Sequence, residues 1–128
     1  MSSAPKPRPK YYDLNLAHLP PSGLVSIFHR ISGLVLFFPV LPILLYVLQQ
    51  SLGSEAGYAY WRDFFSRPIV KLLVLGVLWL YAHHFWAGIR YLLLDVHVGI
   101  EKAPSRTSAI AVLVLGVATA ALIGWRLW

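Results

Sequence analysis

The chain has 128 residues, of which 58% are hydrophobic and only 12% are charged. An average soluble domain carries roughly 25% charged residues, so this composition excludes an ordinary soluble protein and indicates an integral membrane protein. The absence of cysteine excludes disulfides, thiolate metal sites and covalently attached c-type haem. The net charge of +6 comes from basic residues that flank apolar runs, which favours contact with lipid headgroups over nucleic acid.

The chain begins with a polar, proline-rich segment, residues 1–22, and three apolar runs follow it. They cover roughly 24–48, 69–94 and 108–126, and each contains 18 consecutive residues without a formal charge. A membrane-spanning helix needs ~20 residues, with ~17 to 25 as the usual range. Because backbone polar groups in hydrocarbon must be satisfied within the segment, the sequence predicts an all-α, single-domain bundle of three transmembrane helices.

Two connectors separate these spans. The first, residues 49–68, is polar but contains aromatic residues that predict a short helix at the membrane interface. These residues are Tyr58, Tyr60, Trp61, Phe64 and Phe65. The second connector is predicted at residues 96–107. Within the first span, Pro39 and Pro42 predict a bend.

The distribution of basic residues predicts the orientation. Seven Lys and Arg residues fall on the side of the N-terminus and the second connector, and four fall on the other side. Since cytoplasmic loops carry the excess of positive charge, we expect the N-terminus in the cytoplasm and the C-terminus outside.

The second span contains two adjacent histidines, His83 and His84. Ionisable groups inside a membrane are costly and mark functional sites, and imidazole is a common metal ligand. Gly88 shares the helix face of His84 and leaves room there for a porphyrin, while Arg90 or Tyr91 could meet its propionates. His84 is therefore a candidate haem ligand. The alternative is that the imidazole only hydrogen-bonds a neighbouring helix.

One imidazole supplies one axial position of a haem iron. A six-coordinate haem would need a second histidine, from His29, from His83 or from another chain. His83 projects about 100° away from His84 on the helix, so the two cannot face each other across one porphyrin.

A second polar cluster lies at the start of the first span. Ser26 and Arg30 are one helical turn apart, and their donors suit a carbonyl oxygen or an anionic headgroup. Arg30 could equally extend to a lipid phosphate. His29 points about 100° away and could address another partner, such as a haem propionate. Ser32 and Gly33 are predicted to be packing residues that allow close helix approach.

Two motifs carry a family resemblance. Residues 26–33 follow the pattern S-x-x-H-R-x-[ST]-G, and residues 84–95 follow H-x-x-x-G-x-R-H-x-x-x-D, except that Tyr91 replaces the second histidine. These motifs, in this order and on these spans, closely resemble the cytochrome b membrane-anchor subunits of succinate dehydrogenase. The resemblance covers nearly the whole chain.

The resemblance implies specific roles. His84 would be one axial ligand of a haem b, with the other supplied by a companion membrane subunit. Ser26 and Arg30 would bind ubiquinone, and His29 and Arg30 would lie near the haem propionates. The chain would be inactive alone. In a bacterial inner membrane, bound to the companion, iron–sulfur and flavoprotein subunits, it would pass electrons from succinate oxidation to ubiquinone.

Two other functions remain open from the sequence. One is an anchor of the fumarate reductase type that uses menaquinone, and the other is a structural anchor whose histidines only pack. The motif gives no role to His83, and the roles of Tyr91 and Asp95 stay open.

Overall fold

A computed structural model describes residues 18–128, so most of the proline-rich segment 1–22 lies outside the described residues. In chain order the elements are α1 (Pro21–Val35), a π-helical segment (Leu36–Val40), α2 (Leu41–Gly53), α3 (Glu55–Ser66), α4 (Pro68–Asp95) and α5 (Lys102–Leu127). Three stretches are long and apolar enough to cross a membrane: Pro21–Gly53, Pro68–Asp95 and Lys102–Leu127. The predicted all-α fold with three spanning helices is confirmed.

The first span begins at prolines and contains two more within it. Pro20 is the N-cap and Pro21 is the first residue of α1, a position where the missing N–H costs nothing. Pro39 lies inside the π-helical segment. A proline there removes an intrahelical hydrogen bond and its ring collides with the carbonyl four residues earlier, and the wider π turn relieves that collision. Pro42 lies in the first turn of α2.

The helix expected in the first connector is present as α3. Its N-cap is Ser54, whose Oγ accepts a hydrogen bond from the Gly57 N–H at 3.0 Å, and such a cap satisfies one of the free donors at a helix start. The Trp61 ring packs edge-on against the Tyr46 ring of α2, with ring centroids 6.2 Å apart. Because α2 continues to Gly53, five residues past the predicted end of the span, only Ser54 separates α2 from α3.

Helix α5 packs closely along α4. Its buried face is a row of small residues one turn apart, namely Ala109, Val112, Gly116, Ala120 and Gly124. Small residues let helix backbones approach each other in a bilayer, where dispersion contacts hold helices together. A hydrogen bond reinforces the contact between α4 and α5, because the Trp86 indole N–H donates to Thr119 Oγ1 at 3.0 Å.

Arg90 of α4 also bonds to α5. Its side chain is 5% exposed; Nε donates to Ser108 Oγ at 3.0 Å and Nη2 donates to Ser105 Oγ at 3.0 Å and its carbonyl at 3.2 Å. A buried guanidinium is costly unless its donors are satisfied. Ser105 supplies two of these acceptors and lies within α5, which begins at Lys102, six residues before the predicted start of the span.

We expect Gly116→Leu to destabilise the bundle. A Cβ at Gly116 would lie 3.3 Å from the Cα of His83, and a backbone atom cannot rotate away, so overpacking should cost ~1–3 kcal/mol. Gly76→Leu is the matched control, because a Cβ added at Gly76 would meet no other atom within 4 Å. Thermal unfolding in detergent, followed by circular dichroism, should show a lower Tm for the first variant only. Equal melting temperatures would contradict the close α4–α5 contact.

Candidate functional site

The two sequence motifs meet where the C-terminal half of α1 contacts the C-terminal half of α4. The imidazole of His29 stacks on that of His84, with ring centroids 4.2 Å apart and an interplanar angle of 10°. The Tyr91 ring lies 5.1 Å from the His29 ring. Residues more than 50 positions apart in the sequence therefore form one cluster, which contains the predicted haem ligand and one predicted propionate contact.

The Nδ1 atom of His84 has two oxygen neighbours on α1. Ser32 Oγ lies 3.1 Å away and the carbonyl oxygen of His29 lies 3.2 Å away. A backbone carbonyl can only accept a hydrogen bond, so this contact requires the proton of His84 to be on Nδ1. The lone pair is then on Nε2. This is the arrangement in which a neutral imidazole binds a metal through Nε2.

Two glycines border the paired rings. A Cβ at Gly33 would lie 3.0 Å from His84 Cε1, so the His84 ring fits only because Gly33 has no side chain. A Cβ at Gly88 would lie 3.9 Å from His29 Nε2. The sequence predicts that Gly88 leaves space for a porphyrin. In this structure that space faces the His29 ring.

Ser26 and Arg30 lie one turn apart on α1. Ser26 is partly buried and Arg30 is exposed. Within residues 18–128 no hydrogen bond or ion pair occupies either side chain. Their donors are therefore free for a ligand, whether a quinone or a headgroup. Arg90, which was predicted as a possible propionate contact, instead donates to Ser105 and Ser108 of α5.

Two buried polar groups lack a hydrogen bond within the described part of the chain. The first is the imidazole of His83, at both of its nitrogens, and the second is the hydroxyl of Tyr91. His83 is 1% exposed, enclosed by the rings of Phe28 and Trp79 and by the backbone at Gly116, so a cofactor cannot reach it. Tyr91 is only partly buried, and it lies beside His29.

Sequence reasoning did not identify the contact that Ser32 makes with His84. Ser32 was expected to be a packing residue, and the structure shows it 0% exposed with its hydroxyl against His84. The motif alone gives the residue type but not the pairing of α1 with α4. No group of three or more His, Cys, Asp or Glu residues able to hold a metal ion occurs in residues 18–128.

Comparisons with known proteins agree with the two motifs. The family model described as succinate dehydrogenase/fumarate reductase transmembrane subunit matches residues 4–123. The chain is also 34% identical, over 122 residues, to the succinate dehydrogenase cytochrome b556 subunit of Coxiella burnetii, and the match covers 94% of this chain and 97% of that protein. The chain therefore belongs to the family of succinate dehydrogenase and fumarate reductase transmembrane subunits.

Proposed function

We propose that this chain is the haem b-binding and quinone-binding anchor of a bacterial succinate dehydrogenase. In this role it passes electrons from succinate oxidation to ubiquinone. The observation that carries the proposal is the state of His84, whose Nδ1 is hydrogen-bonded to α1 while Nε2 is left with a lone pair. The name of the Coxiella burnetii relative, a cytochrome b556 subunit, supports haem at this position.

The residues of the cluster fit a haem b. His84 would hold the haem iron through Nε2, and a companion membrane subunit would supply a second histidine ligand. His29 and Arg30 would bind the propionates, and the free hydroxyl of Tyr91 is placed beside His29 to donate to the same carboxylates. When bound, the haem would take up and release one electron at a time.

The quinone would bind at Ser26 and Arg30. The Ser26 hydroxyl donates to a carbonyl oxygen, and the Arg30 guanidinium stabilises the negative charge that develops on that oxygen as the quinone is reduced. Both side chains lie on the same helix as His29, so the quinone head would be held close to the haem propionates. The site would then lie at the membrane surface from which the N-terminus emerges, which we propose is the cytoplasmic side.

Three partners complete the function. A companion membrane subunit would cover the open side of His84, and an iron–sulfur subunit and a flavoprotein would carry the succinate chemistry. The alternative direction, fumarate reduction with menaquinone, uses the same anchor geometry, and the name of the relative favours succinate oxidation. A purely structural anchor is disfavoured because it would leave the Nε2 of His84 without a partner, whereas Arg30 could still meet a lipid headgroup.

We expect His84→Ala to abolish haem binding. The alanine removes the axial ligand, so the purified complex should hold at least ~10-fold less haem b, measured as the reduced-minus-oxidised b-type absorption per complex. His97→Asn is the control, because His97 is exposed and has a left-handed φ of 62° that asparagine tolerates. A full b-type band in the His84→Ala complex would contradict the assignment.

We expect Ser26→Ala and Arg30→Ala to depress quinone reduction. Losing a hydrogen bond that involves a charged group costs about 1.5–3 kcal/mol, so Arg30→Ala should lower kcat/KM for ubiquinone roughly 10- to 100-fold, with a smaller loss for Ser26→Ala. Reduction of an artificial dye by the soluble subunits should survive. Arg62→Ala, which removes an exposed arginine on α3, should change neither activity. Equal loss of quinone and dye reduction would indicate failed assembly instead of a quinone site.

A further inference from the structure

We infer that Ser32 is a positioning residue for haem binding, holding the His84 imidazole in the tautomer and orientation that present Nε2 to the iron. The inference deepens the proposed function and rests on it, since it assumes that His84 is the haem ligand. From the sequence alone, Ser32 is predicted only to pack against a neighbouring helix.

The hydroxyl of Ser32 has one proton and uses it on α1. Ser32 Oγ donates to the carbonyl oxygen of His29 at 3.0 Å, which is a common use of a serine hydroxyl inside a helix. With its proton committed, the same oxygen can only accept from His84 Nδ1, 3.1 Å away. Ser32 and the His29 carbonyl therefore both act as acceptors for a single Nδ1–H.

The bond between Ser32 and His84 lies in a buried and sterically confined place. Ser32 is 0% exposed, so water does not reach its hydroxyl, and a donor that loses its acceptor in such a place is destabilised. The ring of His84 is also confined on other sides, by the stacked His29 ring and by the close backbone of Gly33. On α1, Ser32 thus supplies the hydrogen-bond acceptor for the His84 imidazole, His29 supplies the stacking ring, and Gly33 leaves the space that the imidazole occupies.

This arrangement predicts an electronic effect as well as a geometric one. An oxygen partner on the distal N–H fixes the ring of a metal-ligating histidine and raises its basicity. A more basic ligand favours the oxidised iron. Loss of the Ser32 hydroxyl should therefore raise the midpoint potential of the haem and weaken its retention, while the His29 carbonyl keeps part of the interaction.

The test uses the complete complex, purified from membranes, with Ser32→Ala, Ser32→Cys and Ser32→Thr. We expect the haem midpoint potential to shift upward in the Ala and Cys variants, and haem transfer to excess apomyoglobin to be ~10-fold faster. Cysteine keeps the buried volume of serine but is a weak hydrogen-bond partner. If the midpoint potential shifts in both the Ala and the Cys variants, the effect comes from the lost hydrogen bond and not from lost packing. Threonine retains the hydroxyl and should restore the wild-type potential.

Thr119→Val is the structural control. It removes the hydrogen bond from Trp86 and should lower the Tm of the complex without changing the haem potential. Unchanged potential and haem retention in the Ala and Cys complexes would overturn the inference, and so would a potential shift of equal size in the Thr119→Val complex. A wild-type complex without any haem would refute the proposed function itself, which is a distinguishable result.

Discussion

The arrangement of this protein depends on one constraint: a polar group inside a bilayer must find a partner within the protein or in a ligand. At the crossing of α1 and α4, the Nδ1 of His84 finds its partners in Ser32 and the His29 carbonyl. This interhelical bond joins α4 to α1 at the centre of the cluster, beside the stacked ring of His29.

Helix α5 gives the crossing a rigid support. Its small residues allow α4 to pack along it, and its serines satisfy Arg90, which would otherwise be a buried charge without acceptors. On α4, Arg90 bonds to α5, whereas His84 bonds to α1. Polar residues of α4 therefore connect it to both neighbouring helices.

Much of this could be predicted from the sequence, and the failures have a physical reason. The length of the charge-free runs predicted three spans, and the two motifs drew attention to the segments of α1 and α4 that the structure brings into contact. Helix ends were missed because helices continue past the charges that end a hydrophobic run, as α5 does when it begins at Lys102. The contact of Ser32 with His84 could not be predicted, since periodicity within one helix does not reveal which residue of another helix lies opposite.

The adjacent histidines show how one position along a helix changes the chemistry. His83 projects towards Phe28, Trp79 and the backbone of α5 at Gly116, where its nitrogens make no hydrogen bond. His84, turned about 100° further, has one nitrogen bound to α1 and the other free on a partly exposed side. The imidazole of His83 is enclosed between helices, whereas that of His84 is anchored to α1 at Nδ1. The anchoring oxygens, more than the presence of histidine in the span, therefore single out His84 as the imidazole that we propose binds the haem iron.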